Sequence, residues 1–257
     1  MRKPIIAGNW KLHKTVEESR QLIKALAEGL KDVTDVEIVV APVFTSLESV
    51  VAAAKGSPIA IAAQNCYPAP SGAFTGEVSP ALLKDVGCIG AIVGHSERRQ
   101  LFGESNAFIN NKVQALLAAD LRAIFCIGET LDERESGRMY DILTMQVKEG
   151  LAGLTPEQMA KVVVAYEPVW AIGTGKTASN EEAEEAHAFI RGLLQGNFNE
   201  KVAENTPILY GGSVKPGNVD GLMAQEDIDG VLVGGASLVA EDFIRIVRFE
   251  RTEPAQH

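Results

Sequence analysis

A carboxylate and an imidazole each stand at the end of a short apolar run of this chain. Glu167 ends the run VVVAYE and precedes Pro168, and His95 ends the run IGAIVGH. A carboxylate at the mouth of an apolar interior is poorly solvated, which would raise its pKa and make it a better general base. The alternative is an ion-paired acid that only terminates a strand.

The segment Ser96–Arg99 directly after His95 is predicted to begin a helix. An imidazole at a helix N-terminus feels the positive end of the helix dipole, which favours its neutral form. A neutral imidazole still donates a hydrogen bond and can polarise a carbonyl oxygen. A purely structural histidine is the alternative role for His95.

A cation and two pairs of glycines follow other apolar runs. Lys11 comes just after the first run and could supply the positive potential that an acidic chain lacks, although a solvated lysine is the alternative. Tyr210–Ser213 and Gly234–Gly235 end the last two runs. Glycines there let backbone N–H groups approach an anion, which favours phosphate binding over simple tight turns. Glu129 is a further candidate at such an end.

Other catalytic chemistries have little support. The four histidines are scattered and no HxH or HExxH pattern occurs, so we expect no metal and no cofactor. A Schiff-base mechanism would need a lysine at the end of a strand inside the fold. The sixth apolar run is followed there by Glu167 instead. His13, His187 and His257 are interpreted as ordinary surface or packing residues.

Eight short apolar runs carry these residues, with longer amphipathic segments between them. The runs lack period-two alternation, which is typical of parallel strands buried on both faces. They are Ile5–Ala7, Ile38–Ala41, Ile59–Ala63, Ile89–Val93, Ile124–Ile127, Val162–Ala165, Ile208–Tyr210 and Val231–Val233. Two helical stripes comprise Leu22, Ile23, Leu26, Ala27 and Leu30, and Ile109, Val113, Leu116 and Leu117. Asn180, which precedes two glutamates, is predicted to be an N-cap.

Eight strand–helix units leave two architectures, a closed barrel or a doubly wound sheet. No GxGxxG follows the first run, which removes the strongest argument for a dinucleotide fold. No linker or change in composition divides the 257 residues. We therefore expect a single α/β domain over residues 1–257, with a loosely ordered tail from about residue 249.

Composition limits the partners. The net charge of −10, from 34 acidic and 24 basic residues, would repel nucleic acid and anionic membranes. We predict that Cys66, Cys88 and Cys126 are free thiols in a reducing cytoplasm. The start MRKPIIAGNWK is unlike a signal peptide, and no apolar run approaches the ~18 residues of a membrane span.

Two loops are long for connections between a strand and a helix. They are Asn65–Gly76, rich in proline and glycine, and Pro168–Ala178. Loops of about a dozen residues in compact domains are often functional. We expect the second loop to act as a lid, with small residues that make its middle flexible.

Taken in order, these motifs resemble the triosephosphate isomerase family. The most specific are AYEPVWAIGTG, from Ala165 to Gly175, and GHSERR, from Gly94 to Arg99. The other matching stretches are Gly8–Lys11, Gln64–Asn65, Gly72–Glu77, Cys126–Glu129, Tyr210–Ser213 and Leu232–Ser237. The resemblance reaches about residue 248 and implies a parallel eight-stranded (β/α)₈ TIM barrel.

The resemblance also implies roles for individual residues. Glu167 would be the base, His95 the electrophile and Lys11 the electrostatic residue, with Asn9 and Glu97 in the same site. The residues expected on the substrate phosphate are Gly173, Ser213, Gly234 and Gly235. The implied reaction interconverts dihydroxyacetone phosphate and glyceraldehyde 3-phosphate in glycolysis and gluconeogenesis.

The implied assembly is a homodimer. The stretch Asn65–Glu77 resembles a loop that inserts into a partner subunit, which would bring Phe74 and Thr75 to the interface and Thr75 near the other active site. The departures are minor: His13 replaces a small polar residue, and the tail Arg251–His257 matches nothing in the family.

Three other functions remain open on sequence grounds. A lyase or epimerase on the same fold would need a strand-end lysine or metal ligands. An inactive sugar-phosphate-binding protein would have lost the base, the lysine or the lid. In the third, the main role is to bind a partner protein and isomerase activity is incidental. Nothing in the sequence tests this possibility.

Overall fold

The computed structural model of the chain describes residues 2–171 and 177–250. Its strands are β1 (Ile5–Asn9), β2 (Glu37–Ala41), β3 (Ile59–Ile61), β4 (Gly90–Val93), β5 (Arg122–Ile127), β6 (Val162–Tyr166), β7 (Ile208–Tyr210) and β8 (Gly230–Val233). Its α-helices are α1 (Val16–Gly29), α2 (Leu47–Ala54), α3 (Pro80–Asp85), α4 (Ser96–Phe102), α5 (Asn106–Ala118), α6 (Leu131–Glu135), α7 (Met139–Gly150), α8 (Asn180–Asn197), α9 (Glu200–Asn205), α10 (Val219–Met223) and α11 (Ala240–Val247). Short 3₁₀ turns cover Phe44–Ser46, Gln158–Lys161, Val169–Ala171 and Gly235–Leu238.

The eight strands form one parallel sheet that closes on itself. Seven neighbouring pairs follow the order β3-β2-β1-β8-β7-β6-β5-β4. The remaining two edges meet just after β3, where the Ala63 N–H donates to the Gly90 carbonyl at 2.9 Å and the Ile92 N–H to the Ala63 carbonyl at 2.8 Å. A closed ring has no free edge, so the structure confirms the barrel and excludes the doubly wound sheet.

Both faces of the strands are buried, which explains the unbroken apolar runs. Alternate strand residues such as Ala7, Val39 and Leu232 form one core cluster enclosed by the barrel. The residues between them pack outward against the helices in a second cluster that includes Leu26 of α1 and Leu116 of α5. The two predicted helical stripes are therefore confirmed.

The start of the longest helix differs from the prediction. The N-cap of α8 is Ser179, whose side chain accepts the N–H of Glu182, while the Glu182 carboxylate accepts the N–H of Ser179. Asn180 is instead the first helical residue, so its assignment as the cap was wrong by one position. A serine with a glutamate three residues later forms a capping box, a stronger signal than asparagine alone.

No helix in residues 2–171 or 177–250 is both long and apolar enough to cross a membrane. The parallel strands all end on one side of the barrel. The residues that follow β1, β4, β6, β7 and β8 therefore converge there, although they are far apart in the sequence.

Candidate active site

A cavity of about 590 Å³ opens at the carboxyl end of the barrel. Its wall contains most of the residues that the sequence singles out. They are Asn9, Lys11, His95, Glu167, Ser213, Gly234 and Gly235. The other described residues of the wall are His13, Gly211, Gly212, Val214, Lys215, Pro216, Leu232, Ala236 and Asp242.

The Glu167 carboxylate sits at the base of this cavity with both oxygens hydrogen-bonded. Oε1 lies 2.9 Å from Nε2 of His95, and Oε2 accepts the backbone N–H of Ser96 at 2.9 Å. The two side chains are almost enclosed, since His95 is 6% exposed and Glu167 only 2%. The candidate base and the candidate electrophile are thus in direct contact.

The hydrogen bonds of His95 assign its tautomer. His95 is the N-cap of α4, and its Nδ1 accepts the backbone N–H of Glu97 at 3.3 Å. A nitrogen that accepts carries no proton, so the proton of the neutral ring is on Nε2 and is donated to Glu167. The predicted neutral donor at a helix N-terminus therefore fits the geometry.

The pKa directions within the pair reflect this contact. Burial alone would raise the pKa of Glu167, but His95, the Ser96 N–H and Lys11 outweigh it and lower the pKa below its ordinary value. Burial alone would lower the pKa of His95, but the Glu167 and Glu97 carboxylates outweigh it and raise the pKa. The expected rise of the Glu167 pKa is therefore wrong for this arrangement, and so is the expected shift of His95 towards its neutral form, because the partners of both groups were not visible in the sequence.

Lys11 reaches the site from the loop after β1. Its backbone adopts a left-handed φ of 51°, fixed by Asn9 Oδ1, which accepts the Lys11 N–H at 3.0 Å. Gln64 Nε2 donates to the Lys11 carbonyl at 2.8 Å. The Lys11 ammonium lies 2.5 Å from Oε1 of Glu97, whose Oε2 is 3.5 Å from His95 Nδ1.

The predicted phosphate residues lie across the cavity. Ser213 follows β7, while Gly234 and Gly235 follow β8 and lead into a 3₁₀ turn. A Cβ atom added at Gly234 would lie 3.6 Å from Cε of Lys11, so the two elements face each other closely. Gly173, the remaining predicted phosphate contact, lies outside the described residues, as do all of residues 172–176 in the middle of the predicted lid.

Three residues act at the site without having been assigned a role from the sequence. Ser96 supplies a backbone donor, and Gln64 fixes Lys11. Gly211 makes room for the base, because a Cβ atom there would come 2.9 Å from Cγ of Glu167. Each of the three lies in a stretch that resembles the family, but the motifs did not predict these contacts.

Other candidates lie elsewhere. Glu129 is fully buried and turned away from the cavity, where Oε1 accepts from Tyr166 Oη at 3.0 Å and Trp170 Nε1 at 2.9 Å. Phe74 packs on Tyr67 of its own loop, with ring centroids 4.5 Å apart, and Thr75 is exposed. His187 is a buried packing residue and His13 an exposed surface residue, as predicted, and His13 also lies on the cavity wall.

Within residues 2–171 and 177–250, no cluster of three or more histidine, cysteine, aspartate or glutamate side chains could hold a metal ion. The groups around the cavity are instead a carboxylate, an imidazole, an ammonium and backbone N–H donors. This set can remove a proton from carbon and stabilise an oxyanion next to it.

Comparison with known proteins agrees with the geometry. The family model described as Triosephosphate isomerase matches residues 4–250. Relatives named triosephosphate isomerase include those of Syntrophotalea carbinolica, 64% identical over 97% of this chain and 99% of the relative, and Citrifermentans bemidjiense, 57% identical over the same shares. The relative from Geotalea uraniireducens is 56% identical over 97% of this chain and 99% of its own length. The closed parallel barrel, the acid–base pair at its carboxyl end and this similarity across nearly the whole length have one explanation: the chain belongs to the triosephosphate isomerase family.

Proposed function

We propose that this cavity carries out the reaction of its family, the interconversion of dihydroxyacetone phosphate and D-glyceraldehyde 3-phosphate in glycolysis and gluconeogenesis, with Glu167 as the base. The observation that carries the proposal is the distance of 2.9 Å between Oε1 of Glu167 and Nε2 of His95, inside a cavity that Lys11 also lines. The reaction needs these three kinds of group and no redox cofactor.

The first step is removal of a proton from the carbon next to the carbonyl. Glu167 takes this proton and later returns it to the neighbouring carbon. The hydroxyl proton of the substrate passes from one oxygen to the other by way of His95 Nε2, so the reaction leaves the enzyme unchanged. When the substrate oxygen accepts the His95 hydrogen bond, Glu167 loses the donor that lowers its pKa. Its basicity then rises at the moment when a base is needed.

The negative charge that develops on the substrate oxygen needs donors already in place. His95 Nε2–H can donate to it, because the N-cap contact with Glu97 fixes the ring orientation. Lys11, which is paired with Glu97 and also lines the cavity, would supply a positive charge. Preorganised donors of this kind stabilise an enediolate without further rearrangement.

The phosphate group supplies binding energy away from the reacting carbons. The backbone N–H groups of Gly234 and Gly235 and the Ser213 segment would bind it, together with Lys11, and the position of all four on the cavity wall supports this. Gly173 is proposed as a further donor. Binding at this end would orient the carbons against Glu167.

We propose that the active form is a homodimer. A cleft next to the active site is lined by Lys11, His95 and Glu97 and by exposed apolar side chains, namely Leu12 (92% exposed), Phe44, Leu101 (75%) and Phe102. A contiguous exposed apolar surface of this kind marks an interface. The loop of a second copy, carrying Phe74 and Thr75, is the occupant that would fit it.

We also propose that residues 1–257 form one domain and that the protein works in the cytoplasm. The two core clusters draw on elements from β1 to α11, which supports one folding unit. Cys66, Cys88 and Cys126 are buried free thiols, which fits a reducing compartment.

The deciding experiment is a coupled assay on D-glyceraldehyde 3-phosphate with purified wild type and with His95→Gln. The wild type is expected to turn over rapidly, and the variant to lose about 100-fold or more in kcat, since one oxyanion donor is worth roughly 10²–10³-fold. An inactive, folded wild type would refute the proposal.

A further inference from the structure

Arg99 ties together three elements directly behind the catalytic pair. It lies in α4, four residues after His95, and its guanidinium is largely buried. Nε donates to the Gly94 carbonyl at 2.7 Å, Nη2 to the Cys126 carbonyl at 3.0 Å and Nη1 to Asn106 Oδ1 at 2.6 Å. These partners lie directly after β4, in β5 and at the start of α5.

The contact at Gly94 is tight. Gly94 has a left-handed φ of 73°, and a Cβ atom there would lie 3.0 Å from the Cys126 carbonyl oxygen and 3.1 Å from Arg99 Nη2. Gly94 immediately precedes His95. A shift of the guanidinium would therefore move the backbone that carries the imidazole.

The positive charge of Arg99 is not neutralised locally. Among the residues that the structure describes, no carboxylate lies within ion-pair distance of its guanidinium, and its three partners are two carbonyls and an amide. The adjacent Arg98 differs, because its Nε lies 2.6 Å from Oε1 of Glu104. Burial lowers the pKa of Arg99, while the more distant carboxylates Glu167 and Glu104 act to raise it, and an arginine remains charged throughout.

We propose that Arg99 is a positioning residue for the isomerisation: its three hydrogen bonds fix His95 against Glu167, and its uncompensated charge lowers the proton affinity of that pair. The inference rests on the proposed function only for the effect on turnover. Its effect on the titration of the pair is independent of activity.

The other charged or titratable groups around the pair are few. His95 and Lys11 act on the Glu167 carboxylate, Glu97 lies beside His95, and the Cys126 thiol is beside Glu167. Burial raises the pKa of Cys126 well above its ordinary value, so this thiol stays neutral. Glu104 is paired with Arg98 and Lys112.

The test compares Arg99→Lys with Arg99→Met. The lysine keeps the charge but loses the forked guanidinium that makes three hydrogen bonds, and the methionine loses both. Both variants are expected to lower kcat by about tenfold to a hundredfold, the usual cost of small misplacement, with KM changed less than about threefold. In Arg99→Met alone, the titration of the His95–Glu167 pair, followed by ¹⁵N NMR of the imidazole, should move up by about half a pH unit or more.

Arg191→Lys is the matched control, because this helix arginine also donates to backbone carbonyls but lies beside Asp227 and Asp229. It should leave kcat and the His95 titration unchanged. Asn106→Ala removes one partner of Arg99 at a half-buried position and should lower kcat several-fold, which keeps the inference testable if Arg99→Met does not fold.

The inference is overturned if Arg99→Lys and Asn106→Ala retain wild-type kcat, or if Arg191→Lys reproduces their losses. An unshifted His95 titration in Arg99→Met would remove the electrostatic role. An inactive wild type would instead count against the proposed function, and the NMR titration would still decide on Arg99.

Discussion

His95 and Glu167 satisfy each other's hydrogen bonds: Nε2 of His95 lies 2.9 Å from Oε1 of Glu167. The other carboxylate oxygen accepts the N–H of Ser96, the next residue in the chain. The first turn of α4 thus holds both oxygens of the proposed base. A substrate must replace these contacts before Glu167 can reach a carbon-bound proton, so binding and activation of the base are coupled.

Glu167→Asp tests the reach of the base. The substitution keeps the charge but withdraws the carboxylate by about one methylene, and general-base catalysis is worth roughly 10²–10⁴-fold. We expect kcat to fall by about 100-fold or more and KM to change little, as measured by steady-state kinetics. Glu200→Asp, at the exposed start of α9, is the control and should behave as wild type. Near-wild-type turnover of Glu167→Asp would remove Glu167 from the role of base.

Lys11→Ala tests the proposed cation. The site would lose its positive charge inside a chain of net charge −10, so phosphorylated ligands should bind less tightly and turnover should fall. Isothermal titration with phosphoglycolate is expected to show a dissociation constant raised by at least about tenfold. Lys24→Ala, an exposed position on α1, should bind normally. Unchanged binding in Lys11→Ala would place the cation elsewhere.

Shortening the loop Asn65–Glu77 tests the proposed dimer. Removal of Ser71–Thr75 keeps Asn65, which accepts a hydrogen bond from Lys112 at 2.8 Å, but deletes the apolar tip. We expect sedimentation velocity to show a dimer for the wild type and a monomer for the deletion, with activity lost in the monomer. A fully active monomer in either protein would contradict the assembly.

The buried His187 predicts an acid-labile fold. Burial lowers its pKa from 6.5 to about 3, so the folded chain keeps it neutral where the unfolded chain binds a proton. Its contribution to stability is complete above about pH 6.5 and is lost as pH falls towards 3, by up to about 1.4 kcal/mol per pH unit.

Urea unfolding at fixed protein concentration, from pH 7 down to pH 4, measures this slope. His187→Gln does not titrate there and should show a shallower fall than the wild type, whereas His13→Gln, at an exposed position, should not. Parallel curves for the wild type and His187→Gln would assign the acid sensitivity to other groups.

The sequence by itself determined the family and the strand–helix alternation, and both are confirmed. Runs such as Val162–Ala165 are apolar throughout because both faces of each strand are buried, and this leaves a local signature. The residues that follow the runs could be picked out as candidates because parallel strands end on one side. Their catalytic roles stay predictions.

Only the tertiary structure decided how those candidates meet. It closed the barrel at Ala63, turned Glu129 away from the cavity and set Glu167 against His95. It also reversed the expected pKa direction of Glu167 and placed Arg99 behind the pair. The physical reason is that a pKa and a hydrogen bond depend on distances of a few ångströms between groups that are far apart in the chain. Local pattern fixes which residues end a strand, but only packing fixes which of them touch.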